Sequence, residues 1–406
     1  MKKRILAAII IAMGILVGCG DNTPVNSPAQ VTPLPDGSGG SADNVTSEAD
    51  PTEEPMAENG KLANGEKHPI TERTEVNGQM QSYLTGEWKD ADVVQRRSMA
   101  VMIPNNQIKS ATVPQHGISQ ASIIYEAPVE GRITRLMAIF EDYDNLELIG
   151  PIRSSRDYYV YEAMAYDSIY CNWGLAVPYV ADVINSDRID NVSQSLEGIT
   201  KGAPEAFGRG LNDGYAQEFT SSMNIEGYEK AVARLKYATT YEAHGRFQQA
   251  FTFADEGYIA TYEGYPEATV VYPGGNTSNR SGYGNSGNNP IKFEYNEEDG
   301  LYYRYQYGEA QVDADNGEQL AVANVVFKIC HGEVRDNHDY LAFRVHGTGK
   351  AYVFTNGKVI EGTWKRNSDY EANIFYDNNG NEIVFNQGKT WICCIWEEYS
   401  EYIDWE

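Results

Sequence analysis

"ASIIYEAPVEGRITRLMAIF", residues 121–140, holds two apolar runs joined by a short Glu-Gly turn. Runs of this length, rich in Ile and bounded by turn residues, read as two β-strands, 121–127 and 133–140. Apolar residues fall on both faces of each, so both faces are covered and the hairpin belongs inside a layered domain. A two-residue turn at Glu130-Gly131 sets a register in which Val129 faces Arg132 and, three steps out, Glu126 faces Arg135. Each charge stands among apolar neighbours, where an unpaired ion would be costly. A cross-strand pair that satisfies itself fits this pattern, and so does one that also faces a ligand.

Working outward, "SMAVMI" (98–103) and "SIYCNW" (168–173) are further strands, and 155–166, 177–185 and 228–237 read as helices. Strands alternating with helices over 88–245 predict a layered α/β domain, with helices covering a mixed sheet. From 246 to 406 the pattern turns β-rich, in "IKFEYN", "LYYRYQYG", "LAVANVVFKIC", "YLAFRVHG" and "GKTWICCIW". Asn356-Gly357, between "AYVF" and "KVIEG", is a strong two-residue hairpin signal. The expected class is therefore α+β, the second domain being mostly antiparallel, with 273–290 a loop inside it.

The N-terminus, "MKKRILAAIIIAMGILVGCG", has a basic start, an apolar run and then Leu16-Val17-Gly18-Cys19. The run is shorter than the ~20 residues that span a bilayer, and a small residue precedes Cys19, so residues 1–19 read as an export signal ending in a lipobox. The likeness to bacterial lipoprotein signals implies lipidation, a diacylglyceryl thioether with usually an acylated amine, on Cys19, hence an extracytoplasmic protein anchored to the membrane. Residues 20–87, rich in Pro, Gly, Ser and acid, cannot bury enough apolar surface to order and read as a tether. Formal charge is -26 and falls to about -29 once the signal is removed, with pI near 4.6, which excludes nucleic acid as the natural partner.

"GPIRSSRDYY", 150–159, concentrates positive charge in this acidic chain. Gly150-Pro151 ends a strand, and Ser154 with Asp157 resembles a capping box, so a helix is expected from Ser155. Its first N–H groups, with Arg153, Ser154, Ser155, Arg156 and Arg135, form a candidate site for a phosphate, a carboxylate or an anionic wall polymer. The competing reading pairs the arginines with carboxylates such as Glu126, Glu141 or Asp142. Glu126, Glu130, Asp142 and Asp157 are the candidate acids or bases.

Signatures of other chemistry are missing: no Gly-x-Ser-x-Gly, no His-Glu-x-x-His, no Gly-x-x-x-x-Gly-Lys. No cofactor is expected and no metal. Cys330, His331 and Cys393 lack ligand spacing, and Asp313 and Asp315 in "QVDADNGE" read as a turn rather than a calcium loop. Cys171, Cys330, Cys393 and Cys394 read as buried strand residues, although a bridge from Cys330 to Cys393 or Cys394 stays open. The chain has 29 Tyr and 6 Trp, which serve equally as strand formers or, where exposed, as a glycan-stacking surface.

"MAVMIPNN", "HGISQASIIYEAPVEGRITRLMAIFED", "IGPIRSSRDYYVYEAMAYDSIY", "GKAYVFTNGKVIEGTWKR" and "GKTWICCI" together resemble the YerB family of bacterial lipoproteins. The resemblance spans most of 97–395 and implies an exported, lipid-anchored pair of domains, typical of Gram-positive bacteria, without an established reaction. It includes Trp364 and Lys365. Pro104, Arg132 and "CNWG" (171–174) depart from the family pattern, at positions where relatives carry other polar or glycine residues. Two functions fit: a non-catalytic cell-envelope module binding an anionic or glycan wall component or a protein partner, and a hydrolase of wall glycan or phosphate esters using a carboxylate with an arginine clamp. An open cleft where a carboxylate meets Arg153 would favour the second; closed ion pairs would favour the first.

Overall fold

The structure, a computed structural model, describes residues 61–62, 75–108, 110–130, 133–194, 202–246, 251–255, 257–275, 283 and 289–406. The export signal with Cys19, the tether up to residue 74 apart from 61–62, Arg132 and most of the 273–290 loop lie outside them.

Ten strands build the main sheet: β1 (Met99–Pro104), β2 (Ile123–Pro128), β3 (Thr134–Phe140), β4 (Ile169–Trp173), β5 (Asn191–Gln194), β6 (Asn324–Cys330), β7 (Gly347–Thr355), β8 (Lys358–Arg366), β9 (Ile374–Asp377) and β10 (Thr390–Trp396). Their order is β5-β4-β1-β3-β2-β10-β6-β7-β8-β9. β5, β4 and β1 run parallel, as do β2, β10 and β6, and the remaining neighbours are antiparallel. The α+β expectation holds. The two halves of the chain meet at the β2/β10 seam, where Thr390 lies beside Ile123 and Cys393 beside Glu126. One sheet thus continues across the boundary expected at 245/246.

The apolar residues of β2 and β3 fill both faces, as their pattern requires. On one face Tyr125, Met137 and Ile139 pack beneath α1 (Asp157–Met164) and α2 (Val177–Ile184). On the other, Ile124, Leu136 and Ala138 share a core with α3 (Ile225–Leu235) and with a smaller six-stranded sheet that includes Lys292–Asn296 and Leu301–Gln306. In the β7/β8 hairpin Asn356 and Gly357 take φ of 49° and 68°, the left-handed pair that a two-residue turn matched to strand twist needs.

Three local expectations are corrected. The β2/β3 register pairs Ile123 with Ile139, Glu126 with Leu136 and Ala127 with Arg135. The Val129 N–H donates to the Ile133 carbonyl at 2.8 Å, so three residues separate these positions where a two-residue turn was expected. Opposed residues share a face and side chains alternate, so a shift of one residue puts Glu126 and Arg135 on opposite faces. They form no pair.

α1 begins at Asp157, not Ser155, and its N-cap Arg156 gives no side-chain cap. The capping box is displaced because the Ser154 hydroxyl donates to the Trp173 carbonyl at 3.3 Å, while the Ser155 hydroxyl lies 2.7 Å from that of Tyr170. The tether was expected to reach Glu87, yet Met80, Ser82 and Leu84 are buried. The Ser82 hydroxyl donates to Glu141 at 2.8 Å and Lys89 pairs with the same carboxylate at 3.0 Å, which ties this stretch to the end of β3.

Candidate functional site

Glu126 points from β2 into the core beside the smaller sheet and is fully buried. A carboxylate there survives only with its lone pairs filled. Arg304, from the strand Leu301–Gln306, sets Nη2 2.9 Å from Oε2; Trp391 donates its indole N–H to Oε2 at 3.0 Å. Thr134 and Asn105 donate to Oε1 at 2.7 and 3.1 Å. The Arg304 guanidinium lies 4.7 Å from the ring centres of both Phe293 and Trp391, and Gln311 accepts from its Nε at 3.2 Å. Nη1 alone has no acceptor among the described residues. Both ions are fully buried and spent on each other.

On the opposite face, where β3 begins beside the approach to α1, three arginines gather. Arg156 meets Glu130 through two nitrogens, Nε at 2.8 Å and Nη2, donates from Nη1 to the Ser155 carbonyl at 2.7 Å, and lies 5.2 Å from the Tyr340 ring centre. Burial alone would lower its pKa; the Glu130 hydrogen bond raises it. Arg153 pairs with Glu218 at 2.8 Å and rests 5.3 Å from the Phe219 ring centre. Arg135, only 4% exposed, donates from Nη1 to the Ser154 carbonyl at 2.6 Å and meets no carboxylate among the described residues. Burial, then the like charges of Arg156 and Arg153, lower its pKa to about 10. Burial also keeps the phenols of Tyr158, Tyr159 and Tyr170 protonated, so none of them supplies the missing negative charge. The structure therefore brings together Arg135, Arg153, Ser154, Ser155 and Arg156, with three guanidinium ions against two carboxylates.

The remaining candidates are spread out. Asp157 pairs with Arg335 at 2.6 Å, Asp142 lies 4.0 Å from Arg96, and Glu130 is taken by Arg156. Trp364 is buried, donating its indole N–H to the Ile329 carbonyl at 2.8 Å beside the Lys328 ammonium, whereas Lys365 is exposed. The carboxylate of Asp313 accepts backbone N–H groups from Gly117 and Ser119 at 3.1 and 2.8 Å, so it braces turns. Cys171, Cys330, Cys393 and Cys394 are all buried and unbridged, with Cys393 and Cys394 on opposite faces of β10.

Sequence reading missed a second buried group, in which Glu162 of α1 meets Lys328 at 2.6 Å and Arg366 at 3.1 Å, with Asn373 donating at 2.9 Å. Burial would raise the Glu162 pKa, but Lys328 and Arg366 hold it below the ordinary value. The signal was present: Lys328 in "VVFKIC" and Arg304 in "LYYRYQ" are single cations at buried strand positions.

Comparison with known proteins agrees with this architecture. Residues 84–233 match the family model described as "Protein of unknown function (DUF3048) N-terminal domain", and residues 282–392 match the corresponding C-terminal domain. The chain is 27% identical over 316 residues to the "Putative lipoprotein YerB" of Bacillus subtilis, covering 76% of this chain and 84% of that protein. The crystal structure of the YerB protein from Bacillus subtilis superposes with a TM-score of 0.62 at 24% identity, over 80% of this chain and 98% of that one, which establishes the shared fold. With both domain models matched in order and joined through one sheet, the chain belongs to the YerB family.

Proposed function

We propose that this chain is a lipid-anchored, extracytoplasmic binding module without catalytic activity, which holds an anionic component of the cell envelope at Arg135, Arg153 and Arg156. The lipobox at Cys19 and the acidic tether support the location, and the relative's description as a lipoprotein agrees with it. One observation carries the ligand class: Arg135 is a buried guanidinium with a carbonyl for its acceptor and two further arginines beside it. A buried cation normally has a countercharge, and an anionic group of the ligand would supply it through charge-assisted bonds. The closed pairs of Glu126, Glu130 and Asp157 favour binding over acid–base catalysis, because each carboxylate is already spent on an arginine.

The test is binding of the full chain to purified peptidoglycan and anionic wall-polymer fragments, comparing wild type with Arg135→Gln and Arg153→Gln. Saturable binding by wild type, weakened about tenfold or more in Arg135→Gln at an unchanged melting temperature, is the expected result. Equal binding by wild type and Arg135→Gln, or no binding of any fragment by wild type, would sink the reading.

A further inference from the structure

A second concave site lies far along the hairpin from the arginines, on the Glu126 face of the sheet. At the N-terminal ends of β2 and β10 a cleft of about 500 Å³ opens between the main sheet and the smaller one. Its apolar walls are the half-buried Leu301, Tyr303 and Ala321, laid over the core residues Ile118, Ile124, Leu320 and Trp391. Pockets of this volume, apolar with a few placed polar groups, are those that hold small organic ligands. Both halves of the chain contribute walls, so the cleft exists only where the two halves are joined.

The placed polar group is Lys389, the residue preceding β10. Its Nζ donates to the Ser119 carbonyl, and among the described residues no carboxylate lies within ion-pair distance of it. An ammonium carries three donors, so this bond leaves two. Burial lowers the Lys389 pKa; Glu87 and Glu318, two further cleft residues, and Asp313 act on it from a distance in the opposite sense, and Lys89 acts with burial. The two free donors of the ammonium can take one carboxylate directly, while Glu87, Glu318 and Asp313 around it leave no surplus positive charge for a multiply charged ligand. The polar group and the apolar walls select together for one kind of molecule.

We propose that this cleft binds a small monocarboxylate with an apolar body, the carboxylate on the Lys389 ammonium and the body against Leu301, Tyr303 and Ala321. The site is independent of the arginine group, so the two proposals stand or fall separately.

The experiment is saturation-transfer NMR on the full chain in detergent with two water-soluble carboxylates, 4-phenylbutyrate and hexanoate, and the uncharged 4-phenylbutyramide. Wild type is expected to bind the carboxylates saturably and the amide about tenfold more weakly or worse. Lys389→Met should lose that preference and Lys389→Arg should keep it. Partition into detergent is common to all the proteins, and the acid-against-amide comparison in wild type needs no variant to fold. Equal binding of acid and amide by wild type, no saturable binding of either carboxylate at millimolar concentration, or an unchanged preference in folded Lys389→Met would overturn the proposal.

Discussion

Glu126 and Arg135 leave the same hairpin on opposite faces, and their surroundings differ in one respect. Around Glu126 every charge is answered inside the protein: Arg304 opposes it and Trp391, Thr134 and Asn105 fill its lone pairs. Around Arg135 one positive charge is left over, because Glu130 and Glu218 are already paired with Arg156 and Arg153. A buried ion whose partners are all in place belongs to the fold's own accounts, whereas an ion that the fold leaves unanswered has capacity for something external. The difference between the two faces is a difference of one step in strand register.

The comparison breaks if the Glu126 group turns out not to hold the fold. Arg304→Met should give the largest effect, a loss of ~3–5 kcal/mol in denaturant unfolding, because it strands a fully buried carboxylate. Glu126→Gln combined with Arg304→Met should cost less than the two single changes added together, by roughly 0.5–3 kcal/mol, since each single change leaves an unpaired ion. Additive losses would mean the ions do not depend on each other.

The Glu162 group sharpens the same point through pH. Its folded-state pKa lies below the ordinary carboxylate value, so its contribution is fully present above the unfolded pKa of about 4.3 and is lost as pH falls through the folded one. Glu162→Gln should cost about 3 kcal/mol at pH 7, where it leaves Lys328 and Arg366 facing each other. The gap between wild type and variant should stay constant down to about pH 5 and shrink below it. A gap independent of pH down to 3 would assign the loss to packing instead of charge.

Much of this architecture was legible in the chain. Strand content, three of the helices and the Asn356-Gly357 hairpin follow from apolar periodicity and turn chemistry, which are local. What stayed hidden was set by geometry over distance. Glu126 and Arg304 are 178 residues apart and Glu162 and Lys328 are 166 apart, so no local pattern links them. The hairpin register failed for a different reason: it hangs on loop length, and Glu130-Gly131 looks like a complete two-residue turn until the Val129–Ile133 bond shows a longer one. That single residue converted an expected ion pair into two unrelated groups. The arginine cluster itself was legible as composition in "GPIRSSRDYY"; which arginine lacked a partner was not.

Arg135→Gln should give the smallest change in stability and the most informative one. The guanidinium is buried and faces two like charges, both of which lower its pKa, so its positive charge costs the fold something at every pH where it is held. A glutamine amide can still donate to the Ser154 carbonyl, which keeps a bond with a net worth of about 1 kcal/mol. Loss of packing by the shorter side chain works against the relief of charge, and the two should nearly cancel, leaving unfolding within about 1 kcal/mol of wild type or slightly more stable. Arg156→Gln, by contrast, strips Glu130 of a two-point partner and should destabilise by ~1–3 kcal/mol, less than Arg304→Met because Glu130 keeps some access to water. Arg135 falling with Arg156, both destabilised alike, would mean that the arginines act as one structural network, and the contrast between the two faces of the hairpin would be lost.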